Sequence, residues 1–420
     1  MTLAAKTCEW TIMRFTEFLK TNASWLLAGV LLTFMSSFGQ TFFISIFGGH
    51  IREEFGLSHA AWGGIYSLGT TASAVVMIWA GVLTDIFRTR ILGVIVFFGL
   101  ALAAVAMAGL HSAVYLPFVI FALRFFGQGM CSHLAVVAMS RWFVANRGRA
   151  LSLATLGFSF GEAVLPIVFV FLMGYVAWHK LWLVAALLLL FAAPLLWWLL
   201  KEERTPQALA QENISPGMNG RHWTRRQALS HPLFWFMVPA LLGPSAFGTA
   251  FFFHQVHYSE IKGWDHIAFV SLLPVYTVGS VLAMLLSGWA LDKFGTARLV
   301  PFYQFPLSIA FMCFSQSTDI SVLFVGLLFF AMTSGANATL PNAFWAEFYG
   351  TKHLGAIKAM AAAVMVLGSA IGPGITGVLI DAGIALDTQY LWIAGFFLLC
   401  SFSMLIGVLR SKSALQTILG

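Results

Sequence analysis

Long apolar runs alternate with short polar ones along the whole chain. A helix needs about 20 predominantly apolar residues to cross a bilayer. Twelve such runs can be delimited, at roughly 24–47, 59–83, 91–110, 114–140, 150–175, 178–200, 232–258, 267–291, 298–317, 320–345, 355–380 and 388–410. They are continuously apolar, unlike the alternating segments of about ten residues that build β-barrels. The pattern therefore predicts an all-α polytopic membrane protein of twelve transmembrane helices. The longest polar stretch, 201–231, contains the breaker pairs Thr205-Pro206, Ser215-Pro216 and Asn219-Gly220. It divides the chain into an N-terminal segment 1–23, a six-helix bundle 24–200, a linker 201–231, a second six-helix bundle 232–410 and a tail 411–420.

Composition agrees with this reading. Of 420 residues only 9% are charged and 60% are hydrophobic, against about 25% charged in ordinary soluble domains. A water-soluble globule of this kind would expose apolar surface far beyond what monomers tolerate. A cytosolic enzyme, a secreted disulfide scaffold and a disordered chain are thereby excluded. The net charge of +7 becomes a topological signal once the basic residues are placed. Nineteen of the 23 fall in loops on one side, and only Arg52, Lys180 and Lys262 fall on the other. By the positive-inside rule both termini are expected in the cytoplasm, with a bacterial inner membrane as the setting. The same scatter argues against nucleic acid, which needs basic residues gathered on one face. The first run is too long for a signal-peptide core and is expected to remain in the mature protein.

The halves repeat a motif. Gly81-Val82-Leu83-Thr84-Asp85 with Arg88 and Arg90 follows the second run, and Gly288-Trp289-Ala290-Leu291-Asp292-Lys293 with Gly295 and Arg298 follows the eighth. Glycine allows close helix approach, and the aspartate can meet neighbouring arginines or helix N-termini in one state of a moving pair. The paired motif resembles the loop 2–3 and loop 8–9 signature of the major facilitator superfamily. Arg124-Phe125-Phe126-Gly127-Gln128-Gly129 in run four, and Arg141-Trp142-Phe143 with Arg147-Gly148-Arg149 after it, are similar to further elements of that superfamily. Gly157-Phe158-Ser159-Phe160-Gly161, and Trp223-Thr224-Arg225-Arg226 before His231-Pro232, resemble its monocarboxylate and oxalate–formate exchanger branch. Members of that branch commonly carry an arginine in span eight, and 267–291 has none. The resemblance implies two bundles rocking about a midplane substrate site, with Gly81, Asp85, Arg90, Gly288, Asp292, Lys293 and Arg298 as the gating motif.

Ionisable residues inside a span are functional candidates by default. Arg124 and Glu162 alone lie deep in theirs, at depths of about 15 and 18 Å by helical rise. They are expected to pair, either as a proton-coupling device or as a static salt bridge. Gln128 is expected to share the Arg124 face. Further cavity candidates are Gln40, Thr41, Tyr276, Asn337, Asn342 and Ser369. His133 reads as a packing residue or a substrate contact. His254 and His257, three apart near the outer end of run seven, read either as a proton-sensing gate or as part of the interfacial belt.

The function expected is secondary active transport of a small organic solute, an organic anion or a neutral aromatic metabolite. Efflux by the same architecture is one alternative, and a receptor on a transporter scaffold is another. No catalytic constellation, nucleotide-binding loop, metal-ligand spacing or cofactor motif occurs. The expected partners are the bilayer, a small-molecule substrate and a coupling proton, for a chain acting as a monomer.

Overall fold

A computed structural model describes residues 16–81, 83–143, 147–202, 216–350 and 352–416. Those residues fold as helices joined by short connections, with no strand among them. In chain order the principal helices are α1 (Ala23–Gly39 and Thr41–Phe55), α2 (His59–Ala80), α3 (Thr89–Ala108), α4 (Ala113–Trp142), α5 (Arg147–Met173) and α6 (Trp178–Leu199). After the linker come α7 (Pro232–Phe253), α8 (Leu273–Phe294), α9 (Phe305–Gln316), α10 (Ile320–Tyr349), α11 (Leu354–Asp381) and α12 (Leu386–Gln416). Ten are long and apolar enough to cross a membrane, and the two arms of α1, bent by 46°, make an eleventh.

Local chemistry sets the boundaries. Ser58 caps α2 by accepting the Ala61 N–H at 3.1 Å, and Gly56 ends α1 at a φ of +60°. Prolines occupy the first turns of α7, α8 and α9, where a missing N–H costs nothing. The span expected over 298–317 is helical in its long part only from Phe305. Pro301 interrupts the ladder, and turns at 300–304 hold Gln304, whose buried amide donates to the Ala240 carbonyl and the Tyr303 hydroxyl.

Helices α1–α6 precede the linker and α7–α12 follow it, and these sets are called the two halves. Large apolar side chains such as Leu102, Phe191 and Leu399, each about 70% exposed, face outward where lipid would lie. For description, the face carrying both ends of the described chain is the inner face. The halves meet at the outer end: α2 packs along α11, α5 touches α8, and the outer arm of α1 meets α7 and the short helix Gln255–Ile261.

A candidate substrate cavity between the halves

Two irregular stretches of the first half meet half-way along the helices. Helix α1 breaks where Gln40 turns extended, with ψ of 155°. Opposite it, Arg124–Cys131 of α4 winds as a π-helix. The two touch through glycine: a Cβ on Gly39 would fall 2.1 Å from the Leu123 carbonyl oxygen and 2.7 Å from Gly127 Cα. Breaks of this kind are tolerated at membrane depth where they are buried or line a cavity.

They line one here. A cavity of about 280 Å³ lies between the halves. Gln40, Thr41, Gln128 and Glu162 contribute to its wall from the first half, and Tyr276, Ser334 and Asn337 from the second. Phe42, Phe158, Phe252 and Phe330 supply rings. Tyr276 donates to Ser334 Oγ at 3.1 Å, and Asn337 Oδ1 accepts from the Tyr303 hydroxyl at 3.4 Å.

Arg124 sits behind this wall and is 1% exposed. Its Nη1 donates to the Gly39 carbonyl, freed by the break in α1, and to Thr41 Oγ1, both at 3.2 Å. The guanidinium also lies 5.4 Å from the Tyr66 ring centre. Its Nε and Nη2 are buried without a hydrogen-bond partner among the described residues, an arrangement that favours an incoming acceptor. The expected pair with Glu162 does not form. Glu162 instead accepts from Thr277 Oγ1 of α8 at 3.4 Å, a bond that crosses between the halves. The two charges share a depth but not a direction, because Arg124 turns toward α1 and α2.

Other expectations fare unequally. Gln128 lines the cavity while Arg124 lies behind it, because the π-helix shifts the i, i+4 register that would have aligned them. Asn342 donates to the Ala338 carbonyl at 2.8 Å, Ser369 to that of Val366 at 3.0 Å, and neither lines the cavity. His133 packs its ring against Gly81. Arg90 stays within the first half, with Nε donating to the Trp197 carbonyl at 3.0 Å and its guanidinium 3.7 Å from that ring. Gly288 faces open space rather than a close neighbour, Lys293 lies 5.0 Å over Trp289, and Arg298 is exposed. The side chains of Asp85 and Asp292 lie outside the described residues. Arg141 donates to the Thr84 carbonyl at 2.7 Å, joining α4 to the first motif.

The two histidines of the α7 end belong to the outer contact, away from the cavity. His254, 3% exposed, has Nε2 3.0 Å from the Pro373 carbonyl of α11. His257 lies 3.7 Å from Glu260, and its ring centre is 4.1 Å from that of His59 at the start of α2. Asp381 completes the contact by accepting from the His59 and Ala60 backbone N–H groups at 3.1 and 2.8 Å. His59 and Asp381 were not among the sequence candidates. They lie 322 residues apart, and each ends a span like many others. Of the cavity rings, Phe158 stood inside the quoted glycine motif, but nothing local marked it as a wall residue.

The model of the Major Facilitator Superfamily matches residues 29–280 and 260–413. The chain belongs to that superfamily and is a multi-pass membrane transporter of small organic solutes by secondary transport, not an enzyme. Among curated proteins it is 22% identical over 376 residues to a gallate transporter of Pseudomonas putida, covering 81% of this chain and 82% of that one. In fold it is similar to the nucleoside transporter NupG, with a TM-score of 0.70 and 14% identity over 91% of this chain and 98% of that one. It is also similar to a bacterial homologue of the human lysosomal transporter Spinster, solved inward-facing and unoccupied, with a TM-score of 0.65 and 15% identity over 95% and 98% of the two chains.

Proposed function

We propose that the chain carries a small aromatic carboxylate, with Glu162 handling a coupling proton. The observation that carries this reading is Arg124, with two unpartnered nitrogens, Nε and Nη2, one hydroxyl behind a cavity walled by aromatic rings. Thr41 and Gln128 stand where a carboxylate would meet that donor set, and Phe42, Phe158, Phe252 and Tyr276 offer faces for a ring. The cavity, about 280 Å³, lies at the small end of ligand pockets and suits a metabolite rather than a drug-sized molecule. The gallate transporter among its relatives supports the same class.

Glu162 touches the second half through Thr277, so its proton and its hydrogen bond both change when the halves move. The bundles 24–200 and 232–410 rock about the cavity, in the alternating-access manner of repeat-built transporters. The inner face is cytoplasmic in a bacterial inner membrane, as the basic-residue asymmetry supports, and a single chain holds the complete cavity.

The test is thermal stabilisation of the purified protein by benzoate-type carboxylates and by their neutral amides, with counterflow in proteoliposomes. Carboxylates should raise the melting temperature by mass action. Arg124→Gln should weaken them roughly 10- to 150-fold, the value of one charge-assisted hydrogen bond. Glu162→Gln should leave binding and counterflow while removing substrate-driven proton movement. Equal stabilisation by acids and amides would overturn the anion assignment, and intact proton movement in the Glu162 variant would overturn the coupling role.

A further inference from the structure

The described part of the linker folds into a firm corner on the inner face. Trp223 anchors it: its N–H bonds the Tyr349 carbonyl at 3.0 Å, and its indole donates to the Met218 carbonyl at 3.1 Å. Thr224 and Gln227 form a reciprocal cap that starts the turn of helix Arg225–Ser230. A cavity of about 520 Å³ opens on this corner, lined by Arg221, His222, Trp223, Gln227, Ser230 and His231.

Its wall is a set of donors without a carboxylate. His231 Nδ1 accepts the Leu233 N–H at 3.3 Å, so the neutral ring carries its proton on Nε2. Burial holds His231 below the ordinary imidazole value, which favours that neutral donor. His222 Nδ1 is buried without a partner. Arg221, Arg225 and Arg226 are exposed and make no ion pair among the described residues. No acidic residue occurs between Glu212 and Glu260. Glu347, exposed on the neighbouring segment, does not pair with these arginines.

A second pocket of about 400 Å³ adjoins the first through Ser230 and is lined by Pro232, Trp235 and Phe236. It sits where α7 enters the membrane. Trp235 is 59% exposed with its indole donating to the Leu229 carbonyl at 2.8 Å, in the manner of an interfacial anchor. Arg410 of α12 lies 5.7 Å over the Phe236 ring on the far side. A donor-lined, cation-rimmed pocket thus runs directly into an apolar groove at membrane level.

We propose that this corner binds an anionic phospholipid of the inner leaflet, its phosphate among Arg221, Gln227 and His231 and one acyl chain against Trp235 and Phe236. Because the corner is fastened to both the α10 end and the start of α7, the bound lipid holds the linker to the second half. Basic pockets at the membrane surface gain from anionic headgroups in this way.

The experiment uses the full-length protein in nanodiscs of phosphatidylcholine with or without phosphatidylglycerol, read by retained lipid in native mass spectrometry and by melting temperature. Phosphatidylglycerol should be retained selectively and should raise the melting temperature. The triple variant Arg221→Gln, Arg225→Gln, Arg226→Gln should bind it roughly tenfold to hundredfold more weakly, the triple lysine variant should keep it, and Trp235→Ser should shorten retention. Equal retention by the wild-type and glutamine-triple proteins would overturn the proposal. So would full stabilisation by inorganic phosphate alone in phosphatidylcholine, which would make the corner an anion site without a lipid.

Discussion

Asp381 is the carboxylate through which α11 grips the start of α2, so Asp381→Asn tests whether the outer contact sets the balance of states. Helices α2 and α11 belong to different halves, and the proposed rocking of the halves would break the two bonds to the His59 and Ala60 N–H groups, at 3.1 and 2.8 Å, as the outer face opens. A buried charge-assisted bond contributes about 1.5–3 kcal/mol. Asp381 is exposed, and exposed carboxylates over the first N–H groups of a helix contribute less, about 0.5–2 kcal/mol. Asparagine keeps one acceptor oxygen and loses the charge that favours a helix N-terminus. The expected loss is that of the charge alone, about 0.3–1 kcal/mol, which corresponds to roughly a 2- to 5-fold shift toward the outer-open state. Nitroxide labels at Tyr175 and Ala382, exposed at the outer ends of α5 and α11, read the distance between the halves. The variant should populate a longer distance that is rare in the wild type, with its melting temperature little changed. An identical distance distribution would refute the reasoning, since it would mean the carboxylate acts equally in both states.

Three further outcomes follow from the same contacts. A Cβ at Gly63 would lie 2.6 Å from the Pro373 carbonyl oxygen and one at Gly377 2.4 Å from that of His59; Gly63→Ala and Gly377→Ala should each push the outer face open in the same distance measurement. Tyr258→Phe deletes a hydroxyl that donates to the Phe314 carbonyl at 2.7 Å and lies 2.5 Å from Ser317 Oγ, so a loss of about 1–3 kcal/mol is expected in reversible unfolding. The neighbouring His257 ring, 3.7 Å away, holds the Glu260 carboxyl below its ordinary value. The resulting stabilisation is present above the unfolded-state value and is lost as pH falls through the lower folded-state value. With Glu260 58% exposed, the effect is under about 1 kcal/mol, and His257→Gln should flatten the melting-temperature profile as pH falls below the ordinary glutamate range.

The all-helical membrane class and most of the polar cavity wall could be read from apolar runs and from polar residues placed at one depth. Gln40, Thr41, Gln128, Glu162, Tyr276 and Asn337 do converge on one cavity. Depth is legible because helical rise is uniform. Direction around the helix is not, when the helix is irregular. The break at Gln40 falls where Gly39, Gln40 and Thr41 interrupt an aromatic run, a signal of polarity rather than of a break, and the π-helix of α4 has no residue pattern of its own, so the partner of Arg124 was misplaced. The missing start of α9 was signalled by Pro301, which a count of apolar residues passes over. Of the outer contact only His254 and His257 were marked, and His59 and Asp381 escaped because they pair across 322 residues.

The outer contact grips main chain more than side chain. Asp381 takes backbone N–H groups, His254 meets the Pro373 carbonyl, and Gly63 and Gly377 lie against backbone oxygens. Mutational tolerance across this contact is therefore lopsided. A selection for variants locked or unlocked at the outer face should return changes at Asp381, His254 and the two glycines. It should pass over Ala60, whose contribution is an amide that almost any residue but proline supplies.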